Sequence, residues 1–73
     1  MRIAPRIEAD PAICHGQPVV AGSRVIVAVV VGQLSCGASV DDVAREYGIE
    51  RDDVLACLSF AANMLAADEV RAI

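Results

Sequence analysis

The chain has 73 residues, 56% of them hydrophobic, with six arginines, no lysine and ten acids, for a net charge of −4. That length bounds it to one small domain, and the charge argues against general binding to nucleic acid or anionic membranes, leaving only a dimer that reads DNA through a few arginines. The hydrophobic fraction exceeds the roughly 45–50% of ordinary domains and what so short a chain can hide inside itself, which predicts an obligate oligomer, a symmetric dimer first of all.

By composition the chain divides into residues 1–27, rich in proline and glycine with short β-prone pieces, residues 28–66, helical in pattern, and residues 67–73, a short tail. No linker or repeat separates them, so residues 1–73 are expected to form a single domain, mainly α with a short N-terminal β region. Arg6-Ile7-Glu8-Ala9 alternates weakly and predicts a strand, stopped by Asp10-Pro11. Cys14-His15-Gly16-Gln17-Pro18 has turn chemistry, a glycine and then a residue restricted by the following proline. Val19-Val20 predicts a second strand, ended by Ala21-Gly22, and Arg24 to Val27 a third. The valines of Ala28–Leu34 favour a strand by propensity, whereas Val27, Val30, Val31 and Leu34 share a helical face and Gly37 supplies a stop. A helix from Ala28 to Cys36 is the expectation. Gly32 in its middle costs about 1 kcal/mol against alanine, and marks a place where another helix could come close.

Ser39 is placed to cap the next helix by accepting from the amide of Asp42, with Asp41 and Asp42 at its positive end. Tyr47-Gly48 closes that helix. Arg51 to Ala66 then forms the longest one, with an apolar stripe of Val54, Leu55, Leu58, Ala61, Ala62 and Leu65. From Val40 to Leu58 the spacing is that of a helix-turn-helix. Ala44 is the small residue at the crossing, Gly48 supplies a positive φ, and Val43, Tyr47, Ile49, Val54 and Cys57 fall on the shared face. Such a unit usually lays its second helix in the major groove, which makes Arg51 and Ser59 candidate DNA contacts. Yet the second helix opens with Glu50, Arg51, Asp52 and Asp53, and three acids around one base oppose approach to a polyphosphate. The same spacing also suits a plain helical hairpin.

The three cysteines, Cys14, Cys36 and Cys57, form no CxxC pair, and the single histidine, His15, has no second ligand pair nearby. No metal site is expected, and Cys36 and Cys57 are read as small buried apolar groups in a reducing cytoplasm. Cys14 and His15 are adjacent and point apart in an extended segment, so neither activates the other, and no catalytic pair or cofactor motif is visible. Gly22-Ser23-Arg24 lacks the further glycines of a phosphate loop; Arg24 is expected to bond backbone carbonyls or an acid such as Asp10. Nothing resembles a signal peptide. The longest apolar run, Val25 to Val31, is far short of the roughly 20 residues that span a bilayer, so a soluble protein is expected.

The ordered set Gly16-Gln17-Pro18-Val19-Val20-Ala21-Gly22-Ser23-Arg24, then Gly37-Ala38-Ser39, then Val43-Ala44-Arg45-Glu46-Tyr47 resembles the small bacterial domain of unknown function 433, also described as antitoxin-like. Gly16, Pro18, Gly22, Ser23 and Arg24 fall on the family's glycine, proline and glycine-threonine-arginine positions; Ser23 replaces the threonine, and Ile26 stands where many members have proline. The resemblance implies a homodimeric, homeodomain-like helix-turn-helix fold. It further implies the antitoxin of a type II toxin–antitoxin system, partnered with a PIN-like ribonuclease whose acidic, metal-binding active site it covers, with repression of its own operon as a second role. An arginine offered to such an acid cluster would pair with it. The tail supplies the first candidates, Arg71 flanked by the apolar anchors Val70 and Ile73, with Arg51 second.

Overall fold

Pro5 and Arg6 turn the chain between two short strands, β1 (Arg2–Ala4) and β2 (Ile7–Glu8), in the computed structural model, which describes residues 1–67. A third strand, β3 (Val19–Val20), pairs with the other edge of β2, so the antiparallel sheet runs β1-β2-β3. Its register sets Ala4 opposite Ile7 and Ile7 opposite Val20. The expected strand at Arg6–Ala9 is thus only Ile7–Glu8. Arg6 leaves it because the turn holds it at φ 66. β1 was not expected from sequence; Arg2 and Ile3 are exposed, so no alternation of buried residues advertises it.

The expected third strand at Arg24–Val27 is also corrected. Val20 N–H donates to Val25 O at 2.9 Å and Val27 N–H to Pro18 O at 3.0 Å, but only Ile26 bridges across, to Val19. The chain becomes helical at Val27 because Val27 and Val30 there enter the core together. The first helix, α1 (Val27–Ser35), therefore begins and ends one residue earlier than expected. The missing proline at Ile26 matters little: Ile26 holds φ −78, which proline would also hold, and its carbonyl accepts from Val29 and Val30.

The second helix, α2 (Val40–Tyr47), is capped as its sequence indicates, with Asp42 N–H donating to the Ser39 hydroxyl at 3.0 Å. Gly48 ends it in the left-handed region at φ 68. The third helix, α3 (Arg51–Ala67), starts three residues later, and the Asp53 carboxylate accepts from Glu50 N–H at 2.9 Å. That is the reach-back half of a capping box. Ile7, Val20, Val27, Val30, Val43, Val54 and Cys57 form the core, one side of β2–β3 closing against all three helices. Compact β-branched side chains suit so thin a body, since they lose little rotamer freedom on burial.

Two expectations about burial fail. Cys36 is exposed, because it occupies the turn just after α1 and beyond the buried face of that helix. In α3 the residues facing the core are Val54 and Cys57, with Ala61 partly covered, while Leu55, Leu58, Ala62 and Leu65 are exposed. The apolar arc of α3 is wider than the body beneath it.

Candidate interaction surface

The acids at the start of α3 acquire their purpose from the first turn of the chain. Arg6 Nη1 donates to Glu50 Oε1 at 3.0 Å and to Asp53 Oδ1 at 2.9 Å, with Asp52 at 3.8 Å from Nη2. The bonds to Asp53 and then Glu50 raise the guanidinium's pKa above its ordinary value. Arg51 leans toward Asp41 at 3.5 Å, and Arg45 pairs with Asp42 on the preceding helix. The acidic opening of α3 is thus the counter-charge that clamps the β1–β2 turn to the helix. Sequence reading missed Arg6. The available signals were the Pro5-Arg6 turn and a cluster of three acids with a single arginine among them.

The glycine-, proline- and serine-bearing segment does structural work. Cys14, His15 and Gly16 take φ values of 51, 59 and 83 in succession, a tight left-handed turn closed by Gly16 N–H to Ile13 O at 2.9 Å. The Pro18 carbonyl receives Val27 N–H, as above. Gly22, at φ 78, donates its N–H to Glu8 Oε2 at 2.9 Å. The Ser23 hydroxyl donates to Val20 O at 2.7 Å and accepts from Val25 N–H at 3.0 Å, spanning the loop between them. Serine does here what threonine could do equally, since the hydroxyl makes both bonds.

Arg24 corrects an expectation. Its side chain has no partner among the described residues; Asp10 instead accepts from Ala12 N–H at 2.9 Å. Asp10 is thereby committed to its own turn, and Arg24 is left exposed. Cys14 Sγ lies 3.8 Å from the Arg24 carbonyl, and His15 is exposed. Among the described residues no group of acids, histidines and cysteines is placed to hold a metal ion. Cys57, fully buried, has its thiol pushed up to about 11, chiefly by burial and secondarily by the charge of Asp53.

The residues of the α2–α3 hairpin pack as their spacing indicates: Val43, Val54 and Cys57 are buried, and Ala44, Tyr47 and Ile49 are partly buried against them around the Gly48 turn. Arg51 and Ser59 are exposed on α3. Val70, Arg71 and Ile73 lie outside the described residues.

Part of the remaining surface is apolar. A groove of about 390 Å³ lies between α1 and α3, floored by Val27, Val31 and Phe60 and rimmed by Ala28, Gly32 and Ala61. On another side of α3, Leu55 is 42% exposed, Leu58 37% and Leu65 71%, and from Ala62 onward every residue to Ala67 is exposed. These surfaces exceed the scattered single apolar residues that need no explanation. No helix of the described residues is long and apolar enough to cross a membrane.

These features define a small, mainly helical domain with a three-stranded antiparallel sheet at its N-terminus and uncovered apolar helix faces. The chain belongs to the family described as protein of unknown function DUF433, whose family model matches residues 7–61. Among solved structures it is similar to one described as the X-ray crystal structure of Rv2018 from Mycobacterium tuberculosis. The two are 42% identical with a TM-score of 0.66 over 71% of this chain, which spans only 24% of the length of the other. No curated protein matches the chain.

Proposed function

We propose that the chain is a dimeric protein-binding module of the cytoplasm, acting as the antitoxin that covers the active site of a PIN-like ribonuclease. The observation that carries this reading is the pair of uncovered apolar surfaces on α1 and α3. The antitoxin half rests on the family resemblance. We assign the α1–α3 groove to the nuclease, because exposed Gly32 and Ala28 leave backbone and small side chains for a helix to approach. Arg71, with Val70 and Ile73 beside it, is the residue we assign to the nuclease's acid cluster.

The test is co-purification at moderate salt with reductant, followed by assay of the partner's ribonuclease activity with and without the chain. A near-stoichiometric PIN-like protein, inhibited on binding and recovering activity with the Arg71→Ala chain, supports the assignment. Recovery of the chain alone sinks the tight-complex reading. A second reading, a DNA-binding autoregulator with a helix-turn-helix at α2–α3, is favoured by the Gly48 turn and the packing of Ala44. The α3 surface weighs against it, since Arg51 stands there with Asp52, Leu55, Ser59 and Ala62. A purely structural dimerisation domain would bind neither partner.

A further inference from the structure

One carboxylate serves two elements. Asp53 Oδ1 accepts from Arg6 Nη1 at 2.9 Å, and its Oδ2 accepts from Glu50 N–H, also at 2.9 Å. The first bond holds the β1–β2 turn and the second closes the first turn of α3. Asp53 is also the sheltered acid of the three, 15% exposed against 75% for Glu50 and 71% for Asp52, so its bonds are the least screened by solvent.

Apart from this contact, residues 1–5 are held lightly. β1 has one neighbour, its register shifts between Arg2 and Ala4, and Arg2 and Ile3 are exposed; only Ala4 packs against the core. Ile7, fully buried, is the first residue that cannot lift without opening the body, and the family match likewise begins there. Arg6 stands between the two. Its carbonyl accepts from Ala21 N–H at 2.8 Å and its guanidinium is bound at α3, so its Cα is pinned while φ stays at 66. Freeing the guanidinium lets Arg6 turn out of that costly left-handed region, and the turn carries β1 off β2.

We infer that residues 1–5 form a strap hinged at Arg6 and latched by Asp53, which couples opening of the strap to the setting of the first turn of α3. The strap opens as a local unit while the helices stay folded, because lifting it uncovers little apolar surface. The coupling is reciprocal: whatever captures the open strap loosens the cap at Glu50, and whatever binds the Asp53 carboxylate frees the strap. The inference requires neither a nuclease nor a promoter, and its failure leaves the proposed function standing.

The test is amide hydrogen exchange of the full chain with reductant, resolved residue by residue by NMR. The reporters are Ala9 N–H, which donates to Met1 O at 2.9 Å across the strap, Glu50 N–H at the cap, and Cys57 N–H within α3. Asp53→Asn keeps an oxygen for Glu50 N–H and loses the charge that holds Arg6. It should speed exchange at Ala9 roughly tenfold and leave Cys57 unchanged. Arg6→Gln, in the exposed turn, should speed Ala9 by as much and Glu50 by roughly threefold. Asp52→Asn removes an equal charge from the same end of the helix and should leave Ala9 within about twofold of wild type. An Ala9 amide indifferent to Asp53→Asn, or equally quickened by Asp52→Asn, overturns the latch. A Glu50 amide unmoved by Arg6→Gln overturns the coupling, and acceleration of Cys57 in step with Ala9 overturns the strap as a local unit.

Discussion

Arg6 carries two opposed effects that separate substitutions can resolve. Its φ of 66 is a left-handed conformation that a Cβ-bearing residue adopts at a cost, and its guanidinium joins the first turn to α3 through Glu50 and Asp53. Arg6→Ala keeps the strain and loses the clamp, whereas Arg6→Gly loses both. Thermal denaturation should therefore rank wild type above Arg6→Gly and Arg6→Gly above Arg6→Ala, with the gap to wild type shrinking in 1 M salt because the pairs are exposed. An Arg6→Ala chain as stable as wild type at low salt would show that the clamp contributes nothing. Cys57 makes a second residue-scale case. Its folded-state pKa is raised from 9.0 to about 11, so the unfolded chain loses the proton first as pH climbs. The contribution is fully present below pH 9.0 and is lost between pH 9.0 and about 11, a fall of about 3 kcal/mol in unfolding free energy. Denaturant titrations of wild type and Cys57→Ala across that window should show the extra alkaline loss in wild type alone. At pH 8 a thiol reagent should label exposed Cys36 and spare Cys57 in the folded chain.

Among the elements, α1 and the Gly48 turn use glycine for opposite reasons. At Gly48 the backbone requires the residue, since φ is 68, so Gly48→Ala should cost about 1 kcal/mol although open space surrounds the added carbon. At Gly32 the backbone is ordinary helix and a Cβ would also meet nothing, so Gly32→Ala should stabilise the chain by about 0.5–1 kcal/mol. A glycine kept where alanine is better for folding suits a surface on which something must come close. Gly32→Leu should accordingly leave folding intact and weaken nuclease binding at least about tenfold, because the side chain fills the groove. Unchanged binding by Gly32→Leu would remove the groove from the proposal. These elements also mark what the sequence disclosed. Ser39, Gly48 and the acids of α2 act through their nearest neighbours in the chain, so both ends of α2 were readable from local chemistry. β1 and the clamp at Arg6 depend on pairings across the fold, the clamp reaching 44 residues along the chain, and no local pattern records them. The apolar arc of α3 was readable as well. Which part of it faces inward was not, because periodicity gives the arc's width, and the tertiary body decides how much is covered.

At the scale of the whole molecule, net charge separates the partners. The chain carries −4, and three of its five described arginines, Arg6, Arg45 and Arg51, already lean on its own acids. Of the unpaired two, Arg2 lies in β1 and Arg24 in the loop after β3, both away from the α3 residues that would enter a groove of DNA. DNA binding through α3 would have to rest on phosphate contacts, and a complex with six to ten of them loses about a thousandfold or more in affinity between 50 and 200 mM salt. A complex seated on the α1–α3 groove buries mainly apolar surface and has no such dependence. Measured side by side, nuclease binding should change less than about threefold over that salt range, while any affinity for the chain's own promoter should collapse. The contrast rests on surface chemistry alone, so it holds whichever residues of the tail take part. If promoter binding stays tight at 200 mM salt and Arg51→Ala abolishes it, the groove is not the principal site. Arg51 must then let go of Asp41 to read bases, and α2–α3 is a recognition unit after all.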